Sequence, residues 1–445
     1  MKEYPYWWDT VPGGRFNFEL RTENSEPEPG TRNPEPGPPI PARADVVVVG
    51  AGYTGLSAAR RLAMDGASVL VIDRETTGWG ASSRNGGQVI TGLKLDPATL
   101  VGRYGERRAR ELFDAARESI AHLESVIAAE SIDCGYERTG HIQAAWKPSH
   151  FEAFRAEQTL LARVFDHHVD LLPRPEQRAE IGSDAYHGVM IDPKSAALNP
   201  AKYVTGLATA ATRRGARIAT GVAADRIERI GNGWRVVAGD RDIEARDVVL
   251  ATDAYSDRAA GALRRRLVPI GSYIIATEPQ APALAAALLP NRRMAFDSKN
   301  FLFYFRVTDD HRVIFGGRAE FARPSTDTTR RAADILRRGM TRVFPQLESA
   351  AVEYAWSGNV AFSRDQMPHA GRLDGKYVAG GYSGHGIAMA TWLGDTVGRL
   401  AGGERVEHPL ATSTNDPFPL IPFYTGRPWF LPLVGAYYKV KDWLT

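Results

Sequence analysis

The stretch Ala44–Glu75, ADVVVVGAGYTGLSAARRLAMDGASVLVIDRE, decides how the rest of the chain is read. Its opening DVVVV is an unbroken apolar run, which marks a strand buried on both faces. Gly50, Gly52 and Gly55 then form G-A-G-Y-T-G. In such a turn the first glycine permits the bend, the second lets phosphate approach the backbone, and the third lets helix and strand pack closely. A helix is expected from about Thr54 to Asp65, with Leu56, Ala59, Leu62 and Ala63 on one face. Its N-terminus offers free N–H groups and a positive dipole to a pyrophosphate. Asp73 closes the next strand, VLVID, roughly twenty residues on, where an acid can hold ribose hydroxyls. A lone glycine motif is weak, and a structural turn in an unrelated α/β sheet is its bland reading. Here strand, turn, helix, second strand and acid stand in register, which points to dinucleotide binding.

The remainder sets bounds. A chain of 445 residues exceeds one core of ordinary size, so two domains are expected. Its 43% hydrophobic and 24% charged residues are ordinary for a globular protein, and a formal net charge of +3 gives no reason to invoke nucleic acid or anionic lipid. The one cysteine, Cys134, excludes an intramolecular disulfide framework and a multi-cysteine metal site, and no metal is expected. MKEYPYWWDT has no apolar signal region, and no run approaches the roughly 20 apolar residues of a membrane span, so a cytoplasmic protein without a membrane partner is expected.

Along the chain, an aromatic patch (Tyr4, Tyr6, Trp7, Trp8) and the proline-rich run EPEPGTRNPEPGPPIP make an N-terminal arm over 1–41. After Asp73 the chain enters a second glycine-rich loop, GWGASSRNGGQV (Gly78–Val89), instead of further alternating strands and helices. A third glycine turn, GYSGHG (Gly381–Gly386), comes some 300 residues later between a strand and a helix. Three such loops suit a long dinucleotide cofactor whose phosphates and distant ring both need backbone donors. Strand–turn–helix units at both ends flank a middle that is strand-rich and different in kind. The expected fold is therefore α/β (α+β overall). A Rossmann-like FAD-binding domain of discontinuous segments, 42–95, 189–264 and 355–410, is interleaved with a mixed antiparallel-sheet substrate domain over 96–188 and 265–354. A C-terminal tail, 411–445, follows.

At this point the chain resembles the D-amino-acid oxidase/glycine oxidase superfamily of FAD enzymes, and most of all the subgroup containing γ-glutamylputrescine oxidase. The resembling stretches are VVVVGAGYTGLSAARRLA, GASSRNGGQV, DVVLATDAYS, YFRV with IFGGR, WSGNVAFSRDQMPHAG and GGYSGHGIAMAT, in the family's order. The aromatic arm and the ending YYKVKDWL are similar as well. The resemblance implies FAD, two interleaved domains and oxidation of a C–N bond. It implies that Gly50, Gly52, Tyr53, Thr54 and Gly55 hold the pyrophosphate and that Asp73 and Arg74 lie at the adenosine ribose. Gly80, Ala81, Ser82, Ser83, Arg84 and Asn85, with Gly86, Gly87 and Gln88, would line the phosphates and flavin. Val222, Ala251 and Thr252 add cofactor contacts. Gly381, Ser383, Gly384, His385, Gly386 and Ile387 would bring N–H groups at a helix start to the pyrimidine end of the flavin, where a helix N-terminus stabilises negative charge. The family's loop commonly reads GASGRNGG, and Ser83 replaces that glycine. Some relatives tether FAD through a histidine in this loop or a C-terminal cysteine; Asn85 takes the histidine's place and Cys134 lies elsewhere, so the FAD is expected to be non-covalent.

Flavin amine oxidation needs a neutral amine with its α C–H aimed at the reactive ring nitrogen, while the protein supplies position and electrostatics. In NFLFYFRV, Phe301, Phe303, Phe305 and Val307 share one strand face, and Leu302, Tyr304 and Arg306 the other. Tyr304 and Arg306 are candidate catalytic and substrate-binding residues, the guanidinium serving a substrate carboxylate. Tyr273 and Trp356 are candidate aromatic walls of the substrate pocket, and His385 is a third catalytic candidate. His141 in TGHIQAAW reads as structural or surface. Arg264, Arg265 and Arg266 read as a solvated turn, Arg103, Arg107, Arg108 and Arg110 as a wet helix face, and the arm as anchored to the body. The expected partners are an amine or amino-acid substrate and dioxygen, giving hydrogen peroxide, with a monomer or homodimer. Alternatives are a dehydrogenase passing electrons to a quinone or protein acceptor, and a non-catalytic flavoprotein. No lysine stands in the RVIFGG strand, where some relatives carry one for oxygen.

Overall fold

The computed structural model describes residues 1–11, 40–317, 326–411, 418–431, 433 and 435. The strand Arg43–Val49 runs through the centre of an eight-stranded sheet, parallel to Val69–Ile72 on one side and Arg241–Leu250 on the other. Alternate valines enter different cores: Val46 and Val48 join one hydrophobic cluster and Val47 and Val49 another. That is burial on both faces, as the unbroken run demands. The sheet continues through Arg217–Ala219 at one edge and through Lys376–Gly380 and His369–Leu373 at the other. A hairpin, Arg226–Ile230 and Gly233–Ala238, extends from Arg241–Leu250.

The first helix is Tyr53–Met64, and its Leu56, Ala59 and Leu62 are fully buried. A side chain at Gly55 would collide with the Gly50 carbonyl oxygen, so this glycine sets how closely helix and turn pack. One at Gly394, in the helix Gly386–Ala401, would collide with Thr54 O, so the last helix lies against the first. The two glycine turns, more than 300 residues apart in sequence, are joined by Thr54 Oγ1 and Tyr382 OH at 2.6 Å.

A second eight-stranded sheet has the order Val352–Phe362, Val268–Thr277, Val313–Gly317, Phe303–Val307, Met294–Asp297, His141–Ala144, Gly188–Asp192, Asp170–Pro173. One face packs on the helix Thr326–Val343 in a core containing Tyr273, Ile275, Phe305, Phe315, Leu336 and Met340. The other face turns toward the first unit. The architecture is α/β overall, with the first sheet assembled from discontinuous segments.

Two segment limits shift. Gly188–Asp192 and Val352–Phe362, expected in or across the limits of the nucleotide segments, pair within the second sheet. Alternation in sequence marks a strand but does not say which sheet supplies its neighbours. The helix Pro97–Glu130, assigned by sequence to the substrate segments, buries Leu100, Leu112, Phe113 and Leu123 in the same cluster as the first helix. Arg266 Nε and Arg264 Nη2 donate to Phe418 O and Gly426 O at 2.9 and 3.4 Å, so this basic turn holds the tail, where solvation alone was expected. Tyr424 and Leu431 of the tail pack on Val268 and Ile270. The ending YYKVKDWL and most of the proline-rich run lie outside the described residues. Among the described residues no helix is long and apolar enough to cross a membrane.

Candidate active site

A cavity of about 810 Å³ runs from the first glycine turn to the open face of the second sheet. At the nucleotide end, Asp73 Oδ2 accepts Ala51 N–H at 2.7 Å and Oδ1 accepts Glu75 N–H at 2.9 Å, which pins the acid beside the turn. Burial raises its pKa, partly offset by these two bonds. Arg74 also lines the cavity and pairs with Asp257. Tyr53 N–H is taken by Ser82 Oγ at 3.0 Å. The next amide of the helix, that of Thr54 in the cavity wall, has no acceptor among the described residues and remains for a phosphate.

The loop 78–89 forms the middle wall. Arg84 is mostly buried and has no carboxylate partner among the described residues. It donates to Trp79 O at 2.7 Å and Ser357 O at 3.1 Å, with its guanidinium 4.4 Å from the Trp79 ring centroid and 4.9 Å from that of Trp8. A buried cation held by carbonyls and ring faces, without a carboxylate in contact, lines the cavity and fits an anionic group of a cofactor. Asn85 caps the short helix Ala81–Arg84 from within, donating to Ala81 O and Ser82 O and accepting Gly87 N–H at 2.9 Å. Ser83 faces the other way. Its Oγ donates to Gly78 O at 2.7 Å and accepts the Trp8 indole N–H at 2.8 Å. The arm thus grips the loop at the position where the family's glycine is missing, and Trp7 adds a second bond, from its indole to Asn85 O at 2.9 Å.

At the far turn, His385 precedes the helix Gly386–Ala401. Its own N–H is used by Tyr382 O at 2.9 Å and is not available to a cofactor, a correction to the expectation; the following amides of Gly386 and Ile387 have no acceptor among the described residues. The His385 ring is buried, and burial with the nearby Lys94 charge pushes its pKa down to about 3. Its Nδ1 has no hydrogen-bond partner. A neutral imidazole with an orphaned nitrogen next to a helix start fits a polar ring placed there. Of the other expected cofactor contacts, Gly50, Gly52, Gly80, Ala81, Asn85, Gly86, Gln88, Val222, Ala251, Thr252, Ser383 and Gly384 line the cavity. Gly55, Ser83, Gly87 and Gly381 sit behind its wall and shape it.

The substrate candidates divide. Tyr304 lines the cavity and its hydroxyl lies 3.1 Å from Ser272 Oγ. Arg306 shares that strand face but not the cavity: its Nη1 donates to Gly87 O and Leu198 O at 3.1 and 2.9 Å, and its guanidinium is 5.7 Å from the Trp7 ring centroid. Burial lowers its pKa to about 10. It ties the loop 78–89 to Leu198 from outside the cavity wall, where the expectation had it serving a substrate carboxylate. Tyr273 is one residue out of phase with Ser272, so it points into the apolar core on the opposite face. Trp356 is 1% exposed and donates to Arg84 O at 2.9 Å, supporting the loop from behind.

Sequence reasoning missed most of the remaining wall. His141 and Gln143, two apart on one strand, and Met190 and Asp192 on its neighbour, face the cavity with Phe296. Period-two spacing in HIQ and MID was the available signal. Lys94 and Lys299 line the cavity too, so cationic groups come from positions other than the strand where a lysine was looked for. Glu157 lines a further corner, where burial and the neighbouring Asp96 carboxylate raise its pKa to about 7. Cys134 is buried and not in the wall. Among the described residues no cluster of histidine, cysteine and carboxylate suits a metal ion.

Comparison with known proteins agrees with this geometry. Residues 45–400 match the family model "FAD dependent oxidoreductase". The γ-glutamylputrescine oxidoreductase of Escherichia coli is 30% identical over 403 residues, covering 89% of this chain and 92% of its own. The probable oxidoreductase OrdL of Haemophilus influenzae is 32% identical over 362 residues, covering 80% and 82%. Among solved structures, glycine oxidase of Geobacillus kaustophilus superposes with a TM-score of 0.72 at 21% identity, covering 84% of this chain and 99% of its own. A cavity with a phosphate-ready helix start at one end, a buried arginine without a carboxylate in contact at its waist and a second helix start at the other is thus built on a sequence matched nearly end to end: the chain belongs to the FAD-dependent oxidoreductase family.

Proposed function

We propose that this protein oxidises the C–N bond of an amine or amino acid and passes the electrons to dioxygen, yielding hydrogen peroxide. The observation that carries this reading is the continuity of one cavity from the phosphate-ready turn, past the neutral His385, to the polar sheet face bearing Tyr304, Gln143 and His141. The chemistry supplied by bound FAD is removal of two electrons and two protons across the C–N bond of a neutral amine; the imine then hydrolyses, and dioxygen takes up the electrons and protons.

The chain's residues do the rest. Thr54 and Arg84 bind and neutralise phosphate charge. The helix start at Gly386 and Ile387 aims amide dipoles at the site, and burial keeps His385 uncharged beside it. Tyr304, its hydroxyl oriented by Ser272, and the apolar Phe296 and Met190 hold the amine in place and limit water. The γ-glutamylputrescine oxidoreductase among the relatives supports an amine as substrate. Because Asn85 bonds back into its own loop and Cys134 is remote, the flavin is held without a covalent bond. Acid precipitation should leave the protein colourless and the supernatant yellow.

The deciding experiment mixes the holoenzyme anaerobically with a panel of primary amines, N-substituted glycines and γ-glutamyl amines. Bleaching of the flavin, followed by peroxide on admitting air, is expected. Bleaching without peroxide would replace dioxygen by a quinone or protein acceptor; no bleaching with any amine would overturn the reading.

A further inference from the structure

His141 is 6% exposed and stacks on Phe296, with ring centroids 5.0 Å apart at 25°. Its Nδ1 lies 2.8 Å from Ser195 Oγ. Ser195 is itself fully buried, and its oxygen already accepts Thr91 N–H at 3.1 Å. The Ser195 hydroxyl hydrogen has one acceptor among the described residues, His141 Nδ1. Were Nδ1 the donor, that hydroxyl hydrogen would be buried and unpaired, at a cost of about 1–3 kcal/mol. The hydrogen therefore points to Nδ1, and the neutral ring carries its own proton on Nε2. Nε2 has no partner among the described residues, yet it is not among the sealed, unpaired buried atoms, and the residue lines the cavity.

The ring's neighbours on the sheet fix the sign of what it meets. Asp192, opposite His141 in register, accepts from His167 Nε2 at 2.8 Å, from Lys194 N at 2.7 Å and from Thr91 Oγ1. Burial works against its charge, but the hydrogen bond from His167 and the other contacts hold the carboxyl well below the usual range, so it is ionised. A second anion beside it is disfavoured; an uncharged oxygen is not.

From this arrangement we infer that His141 is a substrate-binding residue, a fixed Nε2–H donor to an uncharged carbonyl oxygen such as that of an amide, and that Ser195 is its positioning residue. It follows that the preferred amine carries an amide carbonyl away from the C–N bond that is oxidised. The substrate side of this inference rests on the amine-oxidation reading above.

The test uses the holoenzyme and three matched amines carrying, at one position, an amide, a carboxylate or only a methylene chain. His141→Phe keeps the ring stack and removes the donor. It should raise KM for the amide about 3- to 15-fold, as loss of one neutral hydrogen bond implies. The loss should fall on KM for the amide more than on kcat, and the advantage of the amide over the methylene analogue in kcat/KM should shrink by the same factor. Ser195→Ala should raise KM for the amide by a smaller factor, with Ser195→Thr restoring it, and this pair decides if His141→Phe loses its flavin. Equal changes for amide and methylene amines, no change for either, or a preference for the carboxylate would overturn the inference. To separate it from the oxidation reading, N-methylacetamide, which cannot be oxidised in this way, is titrated against the bound flavin's visible spectrum. Saturable perturbation in the wild type, weakened in His141→Phe, is expected whether or not any amine is turned over; equal titration curves would overturn the assignment.

Discussion

At the first glycine turn the chain presents backbone to the cavity: the helix amide of Thr54, a pinned Asp73, and a glycine loop tied to itself by Asn85 and Ser83. At the sheet end it presents side chains, Tyr304, Gln143, His141 and Asp192, collected from strands separated by up to some 160 residues of sequence. The first end depends on local spacing, because a turn and the helix it starts must be adjacent in the chain. The second depends on which strands pair and in which register, so a shift of one residue would turn each of its groups into the apolar core. Tyr273 is the example within the molecule: it lies next to Ser272 in sequence and on the other side of the sheet.

The largest break in this comparison should come from Gly55→Ala. With the Gly50 carbonyl in the way, helix and turn must separate, and destabilisation of about 3 kcal/mol or more with loss of bound FAD is expected. Flavin absorbance relative to protein, with a thermal melt, measures it. Next comes Arg306→Ala, which strips two buried carbonyls of a donor and leaves a void. Stability should fall by about 2–4 kcal/mol in denaturant titration, while KM for an acidic amine measured on the intact fraction stays unchanged. A selective rise in that KM would return Arg306 to the substrate. The contrast with His141→Phe, where KM for the amide is expected to move and stability falls only by about 1–3 kcal/mol, the cost of an unpaired Ser195 hydroxyl, is the sharpest form of the comparison.

Acid should act on the far turn. His385 titrates near 3 when folded against an ordinary 6.5, so the unfolded chain binds the extra proton. Its contribution is complete above pH 6.5 and is lost as pH falls from there toward 3. A melt series from pH 7 to 4.5 should show the wild type losing stability more steeply than His385→Asn, by up to one proton in the slope. The smallest effect is at Ser83. Trp8→Phe and Ser83→Gly should each cost about 0.5–1.5 kcal/mol, and the double variant little more than either, since both remove the same hydrogen bond.

The sequence was legible where chemistry follows chain order. The run of valines as a strand buried on both faces, the glycine turn between it and the first helix, Asp73 just past the next strand and Tyr304 with Arg306 on one strand face are placed where the sequence put them. What the alternation of NFLFYFRV left undetermined was depth: Arg306 sits only two residues beyond Tyr304 on the same face, yet it is covered by Gly87, Leu198 and Trp7. His141 was passed over because a single histidine in a strand carries no signal until Ser195, Thr91 and Asp192 are brought to it by sheet pairing. Ser83 was illegible for a similar reason, since its partner Trp8 lies 75 residues upstream.

That last contact has a consequence for how the molecule is made. Residues 2–10 are synthesised well before their partners, Ser83, Asn85, Asn199, Asp310, Tyr354 and Ala355. The arm must therefore wait until about four-fifths of the chain has been synthesised before it can settle. Contacts of such long range are slow to form. The loop 78–89 is consequently completed by residues made well before it, at a late stage of assembly, and a change that delays docking of the arm would be felt there as a slower uptake of cofactor.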